Sequence, residues 1–337
     1  MTVDTPSAPI TRVRRWTPVS LIGTPATIAV AVGLVGLPYL IGLATIYSMI
    51  DLFIFILLAS MWNLLAGYGG MVSVGQQAYI GVGAYALVVL ADQVGVNVFL
   101  AIPVAAVICA LLAFGISFLA FRLIGGYFAI GTWVISEVLR LVAIQAPQLG
   151  AGSGLSLFAM SPFSRDLRVA IGFWLALACA ALAVLTCVLL VRSRFGLGLM
   201  AVRDDSTAAA TSGVDVQRAK RFVFVIAGAG SGIAGALIAV SSLNVQPDSV
   251  FSVQWSAFMI FMVVVGGVGT IEGPILGAIL FWFMREALAD YGPLYLIVLG
   301  IIGVAFALFL REGIWGLLSR RGRLSLFPTG YSVTRLR

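Results

Sequence analysis

The chain has 337 residues, of which 61% are hydrophobic and only 10% are charged, and its formal net charge is +7. So few charges cannot coat a soluble globule of this size, whereas lipid accepts an apolar exterior; the composition therefore excludes a soluble domain and indicates an integral membrane protein. Because the sequence contains no histidine, a His-ligated metal site and a Ser-His-Asp triad are excluded. The three cysteines lie within apolar runs, which indicates packing rather than disulfides: Cys109, Cys179 and Cys187.

The first 20 residues are polar, contain three prolines and include the cluster Arg12, Arg14 and Arg15. This composition predicts a short flexible arm. Arginines before an apolar run also resemble the start of a signal peptide or a twin-arginine signal, but no small-x-small cleavage site follows. We therefore predict a cytoplasmic arm over residues 1–20, a transmembrane domain over 21–315 and a basic cytoplasmic tail over 316–337.

Apolar segments of helical length follow one another along the rest of the chain and predict ten crossings. They lie near residues 24–44, 47–66, 76–91, 98–121, 124–145, 169–191, 222–243, 255–269, 273–289 and 293–311. Several are short or interrupted by Gly or Pro, which is typical of half-helices and re-entrant segments. The predicted fold class is all-α: a polytopic integral membrane protein with about ten (eight to ten) transmembrane helices.

The distribution of Lys and Arg predicts the orientation of these helices. With ten crossings, sixteen basic residues fall on one side and three on the other: Arg165, Arg168 and Arg285. Since the basic side is normally cytoplasmic, both termini are predicted to be in the cytoplasm. The longest connection on the opposite side, residues 147–168, is rich in Gly and Ser. It is a candidate landing surface for an external partner or a plain connector.

Two Gly-rich segments, 67–77 and 266–274, interrupt the apolar pattern. Irregular backbone at membrane depth is tolerated only inside protein or beside a watery cavity, so both segments are candidates for a translocation pathway. Around the first segment, amide and hydroxyl groups that can bind a zwitterion or an amide are supplied by Asn63, Ser73, Gln76 and Gln77. In the second, Glu272 precedes Pro274 at a predicted helix start, where it either caps the helix or contacts a substrate amine.

Glu137 and Arg140 lie three residues apart in a predicted helix and so share one face. A charge within a membrane span normally faces the bundle interior, so these residues form either a structural pair or part of the pathway. Small residues at four-residue spacing predict close helix packing, within the chain or against a partner, at 228–232 and at Gly269, Gly273 and Gly277.

Residues 192–221 carry nine charges, six of them basic, between two long apolar runs, which indicates a solvent-facing platform. The single lysine of the chain, Lys220, has no phosphate-binding loop around it, so the chain cannot bind ATP in a Walker A motif of its own. Energy for any pumping must therefore come from elsewhere.

Four motifs occur in the order seen in one family. They are WNLLAGYGGMVSVGQQAYIGVGAYA at 62–86, GGYFAIGTWVISEVLRLV at 125–142, SRFGLGLMAVRDDSTAAATSGVDVQRAK at 193–220 and VVVGGVGTIEGPILGAIL at 263–280. On these motifs, residues 40–315 resemble a permease of an ATP-binding-cassette importer of the branched-chain amino acid type. The resemblance is to the LivH/LivM family, and closer to its LivM-like branch.

The resemblance implies that residues 193–220 form a coupling loop that docks on a cytoplasmic ATPase. The sequence suits this role: Asp204 and Asp205 fit the start of a short helix, Ala208 and Ala209 offer a small contact face, and Gly213 can end the helix. Asp215 can then cap the next helix. The candidate coupling residues are Arg194, Arg203, Asp204, Asp205, Ala208, Ala209, Gly213 and Asp215.

The resemblance also implies a set of partners in a bacterial cytoplasmic membrane. They are a homologous LivH-like permease, two ATPase subunits that hold ATP and Mg²⁺, and a periplasmic or lipid-anchored solute-binding protein. The expected cargo is a branched-chain or other small amino acid, or alternatively urea or a short amide. The chain is expected to hold no cofactor or metal, to have no catalytic residue and to bind no nucleic acid.

An alternative of a different class is a stand-alone ion-coupled transporter or channel. It would use Glu137, Arg140 and Glu272 as coupling charges and would leave the charged platform without a role. A membrane enzyme is disfavoured because histidine is absent and no carboxylate pair has catalytic spacing.

Overall fold

The computed structural model describes residues 11–14, 18–288, 291–292, 294–310, 312–322, 326–327 and 332–335. In chain order its longer elements are β1 (Thr11–Arg14), α1 (Pro18–Leu34), α2 (Leu43–Asn63), α3 (Gln77–Val88), α4 (Val98–Ala120), α5 (Gly126–Gln145), β2 (Leu155–Ser156), α6 (Arg165–Arg192), α7 (Arg194–Asp204), α8 (Ser206–Thr211), α9 (Val216–Ser242), β3 (Asn244–Val245), α10 (Pro247–Val250), α11 (Gln254–Gly266), α12 (Glu272–Ala287), α13 (Leu294–Phe309), α14 (Gly313–Gly322) and β4 (Ser332–Arg335). Single turns of 3₁₀ or π helix occupy Leu37–Tyr39, Leu64–Tyr68, Val89–Gln93 and Pro147–Leu149.

Each of the ten predicted apolar segments contains a helix, so the chain is an all-α polytopic membrane protein. Among the described residues, six helices are long and apolar enough to cross a membrane, or seven if the pair Tyr295–Phe309 and Gly313–Ser319, bent by 44°, is one span. The predicted count of eight to ten crossings is therefore not confirmed. The physical reason is length: the twelve residues of α3 rise only about 18 Å, against roughly 30 Å of hydrocarbon.

The two Gly-rich segments do interrupt helices. The first separates the π turn that ends α2 from the start of α3, and the second separates α11 from α12. In the second, Gly267 has φ +132° and Gly269 has φ +76°, conformations that side-chain-bearing residues rarely adopt. Each break thus ends one apolar helix and allows the chain to start another in a new direction.

Helix α9 is the centre of the bundle and packs closely against α2, α3 and α4 through glycine. An added Cβ atom would lie 2.4 Å from Met61 at Gly230, 2.5 Å from Cys109 at Gly232 and 1.9 Å from the Ile80 carbonyl at Gly235. The small residues at 228–232 therefore pack within the chain, as their spacing indicates.

The ends of the described chain meet. Strands β1 and β4 form an antiparallel pair in which Thr11 is opposite Arg335. The predicted arm over 1–20 lies largely outside the described residues, and α1 already begins at Pro18 within its range. The predicted tail over 316–337 contains the second half of α14 and β4, and the rest of it lies partly outside the described residues.

The long connection between α5 and α6 is held at its middle. Leu155 is paired with Val245 in the β2–β3 ladder, at the far end of α9. The carboxylate of Asp92 accepts hydrogen bonds from the backbone N–H groups of Phe158 and Ala159 at 2.8 and 2.7 Å. At these points the connection is fixed to the bundle rather than free.

Candidate coupling site and solute pathway

Helices α7 and α8 are short because polar side chains begin each of them. The Ser193 hydroxyl accepts from the backbone N–H of Gly196 at 3.1 Å and starts α7. Asp205 has an extended backbone, with φ −154°, and its carboxylate accepts from the N–H groups of Thr207 and Ala208 at 2.8 and 3.0 Å. Asp205 is therefore the N-cap of α8, as the sequence indicates.

The exit from α8 also follows the sequence. Gly213 has φ +86° in the connection after the helix, a left-handed conformation that favours glycine. Asp215 then accepts from the N–H of Arg218 at 3.0 Å and caps α9. Asp204 differs from its prediction: it is the last residue of α7, and its carboxylate lies 2.9 Å from the Arg203 guanidinium.

Only part of the predicted contact face of α8 points outward. Ala208 is exposed whereas Ala209 is 3% exposed and packs inward. The reason is geometric, because consecutive residues of an α-helix are about 100° apart and the neighbouring helices determine which of them turns inward. The exposed residues of this short helix are Ser206, Thr207, Ala208, Ala210 and Thr211, and Arg194 is exposed at the start of α7.

Arg203 joins this pair of helices to the transmembrane bundle. Its Nη1 donates to the carbonyl of Gly67 at 2.7 Å, where α2 ends in its π turn. An added Cβ atom at Gly269 would lie 3.0 Å from the same nitrogen. One guanidinium therefore lies against both Gly-rich segments, and the absence of a side chain at Gly269 makes room for it.

Asn63 holds the two Gly-rich segments together. Its Nδ2 donates to the carbonyl of Thr270 at 2.7 Å, and its Oδ1 accepts from the N–H of Gly269 at 2.8 Å. Both hydrogen-bonding ends of the amide contact the second segment, and the side chain is buried. The sequence predicts that Asn63 lines the pathway. In the structure its contacts give it a structural role, since it links the two Gly-rich segments next to Arg203.

The other polar residues of the first segment are also buried. Ser73 accepts from the N–H of Gly75 at 3.2 Å. Gln76 Oε1 accepts from the Ser231 hydroxyl at 3.1 Å, and Gln77 Oε1 accepts from the Ser256 hydroxyl. The Nε2 groups of both glutamines are buried donors that lack an acceptor among the described residues, a situation that costs about 1–3 kcal/mol per group.

Glu137 and Arg140 form the pair expected from their spacing, and a third residue joins them. Arg140 lies 2.5 Å from Glu137 Oε1 and 2.5 Å from Asp248 Oδ1. Asp248 belongs to α10, 108 residues further along the chain, so no local pattern in the sequence could have identified it. The three charges neutralise one another in part, which favours the structural interpretation of the pair.

Glu272 is the first residue of α12 and is 5% exposed. Its Oε1 accepts from the backbone N–H groups of Leu326 and Phe327 at 2.9 and 3.1 Å. The carboxylate therefore ties the C-terminal segment to the start of α12. The sequence predicts either a helix cap or a contact to a substrate amine for Glu272. It does not reveal the contact with the C-terminal segment, because Leu326 is 54 residues away.

The cap at Asp205 makes a local prediction. Asp205→Ala removes the acceptor for two amides and is expected to cost about 1 kcal/mol of helix stability, whereas Asp205→Asn keeps an acceptor and most of that stability. Backbone amides of Thr207 and Ala208 should then exchange roughly fivefold faster in the alanine variant only, measured by hydrogen exchange of the protein in nanodiscs. Equal exchange in the two variants would contradict the assignment of Asp205 as the cap.

Comparison with known proteins places this sequence in a family. The family model for the "Branched-chain amino acid transport system / permease component" matches residues 44–307. The chain is 27% identical over 314 residues to the high-affinity branched-chain amino acid transport system permease protein LivM of Escherichia coli (strain K12), which covers 85% of this chain and 73% of that protein.

Two other relatives carry similar names. The LivM protein of Salmonella typhimurium is 28% identical over 288 residues, covering 77% of this chain and 67% of the relative. A probable LivM protein of Methanocaldococcus jannaschii is 28% identical over 167 residues, covering 49% of this chain and 48% of the relative. No solved structure matches the chain. Since the family model spans well over half of the sequence, the chain belongs to the family of branched-chain amino acid permease components of ABC transporters.

Proposed function

We propose that the chain is one membrane-spanning permease subunit of an ATP-driven importer that moves branched-chain or other small amino acids into a bacterial cell. It pairs with a homologous permease in the cytoplasmic membrane, receives solute from an external binding protein and is driven by two cytoplasmic ATPases that hold ATP and Mg²⁺. The names of its relatives support the solute class. The chain itself performs no covalent step in this proposal.

The contact of Arg203 with the Gly67 carbonyl is the observation that carries the coupling mechanism. An ATPase that moves α8 also moves α7, because Asp205 is the single residue between them. Arg203, near the end of α7, then pulls on the end of α2 directly. Asn63 passes the displacement on to the second Gly-rich segment and so to the start of α12.

The meeting of the chain ends supports the proposed orientation. Strands β1 and β4 are paired, so the N-terminal and C-terminal segments lie on one side of the membrane, as an even number of crossings requires. Glu272 ties Leu326 and Phe327 to the start of α12, on the same side as Arg203. The predominance of basic residues on this side favours the cytoplasm.

The ion-coupled alternative is weakened by the contacts of its candidate charges. Glu137 and Arg140 are paired with each other and with Asp248, and Glu272 accepts two backbone hydrogen bonds. A coupling group must bind and release its ion in each cycle, and these groups already have protein partners. Import of urea or a short amide by the same machinery stays the second candidate, since the external binding protein contributes to solute selection.

The exposed face of α8 offers a direct test of docking. Ala208→Trp is expected to abolish binding of the ATPase subunits and solute-stimulated ATP hydrolysis, because the indole adds bulk where a partner must approach. Ala208 is exposed, so the fold should be kept, which size-exclusion chromatography of the permease alone can verify. Co-purification and ATP hydrolysis are measured in proteoliposomes with the binding protein present.

Ala208→Ser is the matched control, since it keeps a small side chain at the same position and should retain both activities. Normal ATP hydrolysis and normal co-purification in Ala208→Trp would contradict docking at α8. Leucine uptake by the permease chain alone, without any ATPase, would instead favour the ion-coupled alternative.

A further inference from the structure

A cavity of about 370 Å³ opens between α2, α9 and α12. Its walls include Tyr47, Asp51, Ser241, Trp282, Arg285 and Glu286. Along α2 and α12, at about 1.5 Å per residue, these residues are roughly 20 Å from Asn63 and Glu272. The cavity therefore lies at the end of the bundle opposite to Arg203, and we name it the Arg285 cavity.

Two contacts position the guanidinium of Arg285. Its Nη1 lies 3.0 Å from Asp51 Oδ2, and its carbon atom lies 5.4 Å from the centre of the Phe55 ring. The side chains of Arg285 and Asp51 remain 42% and 40% exposed, so the ion pair still has room for a ligand. A guanidinium held in this way presents its remaining N–H groups in a fixed direction, which suits the binding of a carboxylate.

A chain of hydrogen bonds positions Glu286. The indole N–H of Trp282 donates to the carbonyl and to the hydroxyl of Ser48 at 2.7 and 2.9 Å. The Ser48 hydroxyl in turn lies 2.9 Å from Glu286 Oε2, to which it donates. With Asp51 and Glu286 opposed by Arg285, the formal charges of the cavity walls sum to one net negative charge.

We propose that the Arg285 cavity binds a free α-amino acid through its two charged groups, with the carboxylate at Arg285 and the ammonium group at Glu286 and Asp51. This inference rests on the proposed function as an amino acid importer. A zwitterion needs both signs of charge at its binding site. The cavity offers the guanidinium of Arg285 for the carboxylate, and it offers Glu286 for the ammonium group in addition to Asp51, which is already paired with Arg285. Urea and short amides carry no charge and gain less from this arrangement, because they can form hydrogen bonds there but no ion pair.

Size and polarity agree with the same ligand class. The volume lies within the roughly 300–1,000 Å³ typical of small-molecule sites, which is ample for a branched-chain amino acid. Tyr47 and Trp282 provide aromatic surface for an apolar side chain. If the Arg203 end is cytoplasmic, the cavity opens on the outer side, where a binding protein releases its solute.

The test measures binding of tritiated L-leucine to the complete permease–ATPase complex in nanodiscs, without the binding protein. Two leucine analogues serve as competitors: 4-methylpentanoate, which lacks the ammonium group, and 3-methylbutylamine, which lacks the carboxylate. Glu286→Gln should weaken leucine binding roughly tenfold, the loss expected for one charge-assisted hydrogen bond. The same substitution should leave 4-methylpentanoate binding unchanged, because that analogue has no ammonium group.

Arg285→Gln should weaken leucine and 4-methylpentanoate but not 3-methylbutylamine. Because this change leaves Asp51 without its cation, the double variant Asp51→Asn/Arg285→Gln is tested with 4-methylpentanoate, which has no ammonium group to lose at Asp51. Weakened binding of this analogue to the double variant shows that the loss does not come from a stranded carboxylate. Arg122→Gln is the charge-matched control, since Arg122 is exposed after α4, at the other end of the bundle. It should bind all three compounds as the unaltered complex does.

The proposal is overturned if the unaltered complex shows no saturable leucine binding at millimolar concentrations. It is also overturned if Glu286→Gln weakens leucine and 4-methylpentanoate equally. ATP-driven leucine uptake in proteoliposomes with the binding protein separates this failure from that of the proposed function. Uptake at an unaltered maximal rate in both variants, with saturating binding protein, would refute the cavity alone, whereas absence of uptake by the unaltered transporter would refute the importer itself.

Discussion

Arg203→Gln is expected to lower solute-stimulated ATP hydrolysis by roughly tenfold while unstimulated hydrolysis and ATPase binding persist. The variant removes the charge-assisted hydrogen bond to the Gly67 carbonyl, which is worth about 1.5–3 kcal/mol. It leaves the exposed face of α8 and the cap at Asp205 untouched, so docking should survive. Stimulated and unstimulated hydrolysis are compared in proteoliposomes that contain the complete transporter and its binding protein.

Arg218→Gln is the control for loss of a basic residue from the same region. Arg218 is paired with Asp215 at 3.0 Å, and its side chain is 87% exposed, so the pair contributes little. This variant should keep its stimulation. If Arg203→Gln were stimulated normally, the proposed route from α7 to the Gly-rich segments would be wrong even if α8 docks on the ATPase.

Gly277→Ala is expected to prevent normal folding of the C-terminal half of the bundle. A Cβ atom at position 277 would lie 1.7 Å from the carbonyl oxygen of Met262, so α11 and α12 would have to separate. Overpacking a core typically costs about 1–3 kcal/mol when side chains can move, and here the obstacle is backbone. The yield of monodisperse protein and the thermal unfolding temperature in detergent should both fall.

Gly300→Ala adds the same methyl group to α13, where nothing lies within 4 Å of the new atom. It should match the unaltered protein in yield and unfolding temperature, and alanine slightly favours a helix over glycine. An unchanged unfolding temperature in Gly277→Ala would show that α11 and α12 do not pack as closely as the structure has them. The pair of variants separates close approach from the general effect of replacing a glycine.

Much of the bundle was predictable because each apolar segment carries its own helical signal. The segment predicted at 98–121 corresponds to the helix Val98–Ala120, and the segment predicted at 124–145 corresponds to the helix Gly126–Gln145. The number of crossings was less predictable, because a hydrophobic run indicates a helix without indicating whether it reaches both surfaces. The segment at 76–91 illustrates this, since α3 ends at Val88 and continues as a π turn.

The candidate site was predictable to the extent that its interactions are local. Asp205 and Asp215 cap helices by accepting hydrogen bonds from backbone N–H groups two to three residues further along the chain. Glu137 contacts Arg140 within one helical turn. The prediction of a shared face for Ala208 and Ala209 was wrong because the register of a six-residue helix depends on what it packs against. Asn63 was assigned to the pathway from its chemistry, and its contacts with Thr270 and Gly269 could be found only in three dimensions.

Local residue patterns were enough to predict the membrane environment, the class of secondary structure, the positions of the helix breaks and the caps of α8 and α9, because each depends on residues within a few positions of one another. The contacts across the bundle appear only in three dimensions: Arg203 with Gly67, Glu272 with Leu326, Arg140 with Asp248 and Arg285 with Asp51. These partners are 54 to 234 residues apart. Their meeting depends on which helices are neighbours, and that is set by packing of the whole bundle rather than by any local pattern.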